Sequence, residues 1–184
     1  MASNVFALRD KSNELLDSKA ERLAKVFDSE SFERTVQFVR KEKWDSVLVN
    51  TEKLLQQLKK QPLLDYVHYY RAEAFHKKGI LKYALKEFDQ VRQDFEFYTM
   101  VRFNKGGIFL SQEKYNQALK VFKSIDTSSQ KKIKTIRIDA LFQNTGICYL
   151  HLGDYIQSEK YLLRAIQKIR EKKIIARSLP PTWI

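Results

Sequence analysis

Few residues in this chain are of a type and spacing that could do chemistry. It contains 3 histidines and 1 cysteine. His68 and His76 stand eight residues apart, whereas two metal ligands on one helical face need a spacing of three or four. Neither they nor His151 has an acidic or cysteine neighbour at ligand spacing, so each is expected to be structural or superficial. Cys148 lies between Ile147 and Tyr149 and reads as a small buried hydrophobe rather than a nucleophile. No Ser/His/Asp or Cys/His set is suggested by proximity. The one glycine doublet, Gly106–Gly107, follows Asn104–Lys105 and lacks the preceding strand and further glycines of a phosphate loop. The chain is read as non-enzymatic, with no metal site and no cofactor.

Charge is the second chemical feature. Lys and Arg number 34 against 22 Asp and Glu, a formal net charge of +12, which suits a polyanion binder. Its distribution weakens that reading. Residues 1–60 hold 12 basic and 10 acidic side chains, so the surplus lies downstream. The densest run is Lys160, Arg164, Lys168, Arg170, Lys172, Lys173 and Arg177, opposed only by Glu171. A second cluster is Lys123, Lys131, Lys132, Lys134 and Arg137. Lys and Arg are good helix formers, and a solvated helical face accounts for such runs. An acidic protein partner is one alternative, and RNA, DNA or anionic lipid is another.

One cysteine rules out an internal disulfide. Met1–Phe27 has no basic-then-apolar leader, and no run of about 18 apolar residues exists to span a bilayer. These features favour an intracellular protein, cytoplasmic or nuclear.

A repeat must position these residues. Ala72, Phe75, Ala84, Phe88 and Val91 form one set; Gly106, Phe109, Ala118, Phe122 and Ile125 a second; Gly146, Tyr149, Ser158, Leu162 and Ala165 a third. Each set has the offsets +3, +12, +16 and +19 from its leading residue, and the leading residues are 34 and then 40 apart. A small residue and an aromatic share one helix; a small, a bulky and an apolar residue share the next. This is how two antiparallel helices pack when a small side chain lets their backbones approach. A looser copy is Thr35, Phe38, Val47, Thr51 and Leu54, aligned through Trp44 with Leu81, Tyr115 and Tyr155.

On these residues the chain resembles the tetratricopeptide repeat (TPR) superfamily, whose helix–turn–helix recurs about every 34 residues. Gly79, Glu113 and Gly153 fall at the intra-repeat turn. The early Trp of the family's first helices is absent, and no Pro closes the second or third repeat. In the order of its elements, through Phe38–Ser46 and Tyr70–His76, the chain is similar to the N-terminal domains of TPR subunits of the anaphase-promoting complex, which dimerise. Trafficking-complex subunits and secretion chaperones share the architecture.

The expected fold is all-α: a right-handed superhelical solenoid of antiparallel helix pairs, three to four repeats with flanking helices. Residues 1–30 are an N-terminal capping helix, with apolar residues of 4–27 at spacings of three, four and seven. Residues 31–62 are the degenerate pair, opened by Ser31 as a cap and closed before Pro62. Residues 63–168 hold three repeats: 63–78 with 80–94, 97–111 with 114–125, and 133–151 with 155–168. Residues 126–132 form a polar turn that supplies the extra length. Residues 169–184 are a basic extension of the last helix, followed by a tail that Pro180–Pro181 keep non-helical.

The resemblance implies that first helices line a concave groove. Family members that grip the C-terminal carboxylate of heat-shock chaperones use Lys, Arg and Asn there. This chain keeps Asn104 and Asn144 but has Tyr69, Glu73 and Ala140 where basic or amide groups are needed, so that clamp is incomplete. The expected binding surface is Tyr66, Tyr69, Met100, Phe103, Asn104, Gln143, Asn144 and Ile147. An apolar groove edged with amides suits a partner helix or extended segment, with aromatic and Met anchors. The alternative is that these residues pack on an extra helix of the same chain. The functional expectation is a protein-binding scaffold within a multiprotein complex, with a second copy as a further candidate partner. The competing reading is a basic RNA- or anionic-lipid-binding module using the Lys160–Arg177 helix.

Overall fold

The structure, a computed structural model, describes residues 11–58, 61–128 and 135–178. Nine helices follow one another among them: α1 (Lys11–Val26), α2 (Glu30–Arg40), α3 (Trp44–Gln57), α4 (Gln61–Lys77), α5 (Leu81–Gln90), α6 (Tyr98–Ser111), α7 (Tyr115–Lys123), α8 (Ile138–His151) and α9 (Tyr155–Ser178). The described residues are 80% helical and contain no strand. Helices α2 and α3, α4 and α5, α6 and α7, and α8 and α9 form antiparallel pairs, and each pair packs on the next.

The repeat offsets mark the packed interior. Ala72, Ala84, Phe88, Ala118, Phe122, Ser158 and Ala165 are buried, as are Thr35, Val47, Thr51 and Leu54 of the degenerate copy. The leading small residue is required sterically. A Cβ on Gly106 would overlap the ring of Phe122, and one on Gly146 would lie 2.9 Å from Leu162 and 3.2 Å from the Ser158 carbonyl.

Each pair turns the same way. The residue seven places after the leading position has positive φ: Glu42 (52°), Gly79 (74°), Glu113 (57°) and Gly153 (81°). The next amide then donates to the carbonyl of the +3 aromatic: Lys43 to Phe38, Ile80 to Phe75, Lys114 to Phe109 and Asp154 to Tyr149, all between 2.8 and 3.0 Å. This is the left-handed helix stop that satisfies the last carbonyls. Asp28 (49°) repeats it between α1 and α2, where the Ser29 amide donates to Ala24. The α1–α2 turn therefore copies the intra-repeat turn, a relation the sequence pattern alone did not expose.

Several boundaries differ from expectation. Helix α5 stops at Gln90 rather than Asp94, because the buried Asp65 carboxylate of α4 accepts the Arg92 amide at 3.0 Å and its guanidinium at 2.8 and 3.0 Å. This clamp holds the following residues as a loop and seats Phe95 and Phe97 against Tyr66, with ring centroids 4.9 and 6.1 Å away. Helix α8 begins at Ile138, not Ile133, since Arg137 is extended and Thr135 and Ile136 are buried outside the helix. Ser31 does not cap α2. Ser29 precedes that helix without a side-chain cap, and the Ser31 hydroxyl instead donates to Asn50 at 3.2 Å. Helix α4 takes in Pro62 within its first turn, where a missing N–H costs nothing. The expected helix before residue 11, the tail from 179, and most of the 126–132 turn lie outside the described residues.

The first-helix face as a candidate binding surface

Helices α2, α4, α6 and α8 carry the residues expected to bind a partner. In the N-terminal half this face is already occupied. Helix α1 packs on both α2 and α4. Its Leu16, Ala20 and Ala24 are buried, and the two alanines, four residues apart on one face, let it approach closely. Tyr70 donates to the buried Asp17 at 2.9 Å, and Arg40 reaches Glu21 at 2.5 Å and Asp17 at 3.8 Å. Lys19 pairs with Glu96 and lies 5.4 Å over the Phe97 ring.

Two expected anchors are therefore core residues. Tyr66 is buried and donates to Glu96 at 3.0 Å. Burial first, then the Glu96 charge, pushes its phenol well above the ordinary range, so it stays a neutral donor. Tyr69 is 1% exposed and packs edge-on to Phe88 and Tyr70. Neither can insert into a partner: Phe95 and Phe97 of the 91–97 loop close over Tyr66, and Tyr69 is held against Phe88 of α5 with its hydroxyl met by Asn104 of α6.

The C-terminal half differs position by position. The place of Tyr69 in its repeat is held by Phe103 and then Gln143; the first is half-buried and the second exposed. Phe103 leans on Phe122 at 6.2 Å. Met100 is buried and Ile147 half-buried. The two asparagines share one repeat position, two residues before the leading glycine. Asn104 donates its amide to the Tyr69 hydroxyl at 3.1 Å. Asn144 is 4% exposed, and its Nδ2 has no hydrogen-bond acceptor among the described residues. The equivalence explains the difference: where Asn104 finds a tyrosine hydroxyl, Asn144 has Phe103, which carries none.

The residues considered for chemistry take structural places. His68 meets Glu87 at 2.8 Å, and Arg71 reaches Glu87 at 3.0 Å and Glu52 at 2.5 Å, tying α4 to α3 and α5. Burial would raise the Glu87 carboxyl, but His68 and then Arg71 outweigh it and hold the group below its usual value. His76 is pushed down to about 4, by burial first and then by the Lys77 charge. His151 stacks on Tyr115 at 4.3 Å. Cys148 is buried, which pushes its thiol up to about 12 and leaves it inert. Among the described residues no group of three or more His, Cys, Asp or Glu is placed to hold a metal ion. No described helix is long and apolar enough to cross a membrane.

The basic run is partly engaged within the fold. Lys172 pairs with the buried Asp139 of α8, Lys168 with Glu171 at 2.8 Å, and Arg164 lies 4.1 Å over the Phe142 ring. No described acidic side chain pairs with Lys160 or Arg170. The side chains of Lys173 and Arg177 lie outside the described residues.

A solved structure shares this arrangement. The crystal structure of MamA superposes with a TM-score of 0.64, covering 91% of this chain and 99% of that chain at 12% identity. The fold is a TPR-like helical solenoid. No family model matches the sequence, and no characterised protein matches it by sequence. The likeness therefore fixes the architecture of the TPR-like chain, and its working surface has to be read from its own residues.

Proposed function

We propose that this chain is a non-enzymatic scaffold that binds an extended apolar segment of a partner protein along the face between α6 and α8. Solenoids of stacked helix pairs present long continuous surfaces of this kind. The observation that carries the reading is the uncovered surface of α6 and α8, where Phe103 and Ile147 are half-buried and Gln143 is exposed. Beneath it the Asn144 Nδ2 is buried with no acceptor among the described residues; a shift of that side chain toward a main-chain carbonyl of a bound segment would relieve a cost of about 1–3 kcal/mol. Phe103 and Ile147 supply apolar contact, and Gln143 a polar edge. Tyr66, Tyr69 and Met100 drop out of the binding set because all three are buried within the fold. The polyanion reading is weaker, since Lys168, Lys172 and Arg164 are spent on contacts within the fold.

The test is recovery of partners from the native cell, read by mass spectrometry, with the wild-type chain and two double variants. Phe103→Ala with Asn144→Ala should keep helicity and lose the specific partner; aromatic anchors commonly contribute about 2 kcal/mol or more. Lys160→Glu with Arg170→Glu should leave that partner in place. If the second variant loses it and the first does not, the electrostatic reading replaces this one.

A further inference from the structure

Helix α9 exposes apolar side chains at positions where every other repeat is polar. Ile156 is 80% exposed and Leu163 57% exposed. The residues equivalent to Ile156 are Asp45, Lys82 and Asn116; those equivalent to Leu163 are Glu52, Asp89 and Lys123. All six are exposed although a further repeat stacks beyond each of them. Stacking of a neighbouring repeat therefore does not call for apolar residues at 156 and 163. Position 155 differs: Tyr155 is 69% exposed where Trp44, Leu81 and Tyr115 are half-buried.

The stripe is ordered. Ile156, Leu163 and Ile174 are separated by 7 and 11 residues, and at 100° per residue they fall within about 20° of one line running some 27 Å along the helix. Lys160, Gln167 and Arg170 interrupt the same strip. The two cations are exposed and neither has a described acidic partner, unlike Lys168 and Lys172 beside them. Ile166, 44% exposed and about 80° round the helix from that line, broadens the apolar surface.

We propose that this outer stripe of α9 is a second docking surface, and that its occupant is an acidic amphipathic helix of another protein. Apolar residues spaced by one and two turns on the partner would cover Ile156, Leu163 and Ile174, and carboxylates on the same face would meet Lys160 and Arg170. A second copy of the chain fits poorly. In an antiparallel pairing centred on Ala165, Lys160 of one copy falls opposite Arg170 of the other, and the reverse, so like charges face each other twice. A membrane surface fits poorly as well. The opposite side of α9 is buried on α8, and two cations stand inside the strip that would have to enter the lipid.

The probe is a synthetic 18-residue amphipathic helix with leucines at the matching spacing and glutamates placed to meet Lys160 and Arg170. Its control carries lysines in place of the glutamates. Binding to the full chain is measured by fluorescence anisotropy. The expected result is saturable binding of the acidic peptide and none of the basic one. Leu163→Glu should abolish it, and Arg170→Glu should weaken it by about tenfold or more. Circular dichroism checks that both variants keep wild-type helicity. Failure of the acidic peptide to bind overturns the proposal. So does concentration-dependent dimerisation that Leu163→Glu removes, which assigns the stripe to a second copy. Binding to phosphatidylserine vesicles lost in the same variant assigns it to a membrane. Phe103→Ala separates the two surfaces: it should bind the peptide like wild type, and loss of binding in that variant places the peptide on the α6–α8 face and overturns the proposal.

Discussion

At one repeat position, Tyr69, Phe103 and Gln143 pass from buried through half-buried to exposed along the chain. The helices beneath them are equivalent, and the turns that precede their partner helices are the same. What differs is the cover. Tyr69 is closed in by Phe88 of α5 and Asn104 of α6, and beside it α1 lies over α2 and α4, with a buried carboxylate at Asp17 placed for the Tyr70 hydroxyl. The face of α6 and α8 has no such helix among the described residues. A residue's place in the repeat thus settles which way it points, and the neighbouring chain settles whether it becomes core or surface. The same lesson holds for the asparagines: Asn104 is completed by Tyr69, and Asn144 is left as a donor.

The comparison is broken most easily by truncating the equivalent aromatics. Tyr69→Ala should cost about 3–5 kcal/mol, the range for a fully buried aromatic, whereas Phe103→Ala, half-buried, should cost about half as much or less. A denaturant melt measures both. Equal costs would mean that the two halves are not finished differently.

Acid tests the N-terminal half in a different way. The His76 imidazole, at about 4 in the fold, lies below its unfolded value of 6.5, so the unfolded chain binds more protons between those two pH values. Its contribution is fully present above pH 6.5 and is lost as pH falls towards 4, to the extent of about 3 kcal/mol. His76→Gln should flatten that part of the stability profile. An unchanged slope would show that His76 is not buried in its neutral form.

Much of the fold was legible because the +3, +12, +16 and +19 offsets report packing between adjacent helices, which depends on side-chain size alone. The glycine positions sharpen this point. Gly106→Ala drives a methyl into the Phe122 ring and should cost about 1–3 kcal/mol even after the gain in helix propensity. Gly146→Ala meets the more adaptable Leu162 and should cost less. Two neutral results in a thermal melt would put the repeat register in error.

The candidate site was legible only in part. A position-by-position transfer places Tyr66 and Tyr69 on an open groove because it carries no information on how α1, α6 and the 91–97 loop close on α4. The available signal was Ala20 and Ala24, small residues on a face that otherwise reads as leucine-rich, which mark a close helix contact. The early end of α5 was hidden for a similar reason. Asp65 and Arg92 are 27 residues apart, and nothing in local periodicity links them.

A smaller effect sharpens the comparison at single-atom level. Phe103→Tyr places a hydroxyl where Tyr69 has one and should give Asn144 its acceptor. Stability should rise by about 0.5–1.5 kcal/mol, and the gain should vanish in an Asn144→Ala background, as a double-mutant cycle would read it. A gain that persists without Asn144 would show that the two asparagines are not equivalent.

A partner seated on the α6–α8 face, and not on the half that carries α1, would be captured in the native cell by a photo-crosslinking residue at Gln143 and missed by one at Lys25, on the outer side of α1. Position 143 should give a discrete crosslinked partner and position 25 none of the same species, and the crosslink should be lost when Phe103→Ala and Asn144→Ala are added. The same partner captured from position 25, or a crosslink from 143 that survives those changes, would contradict that seating.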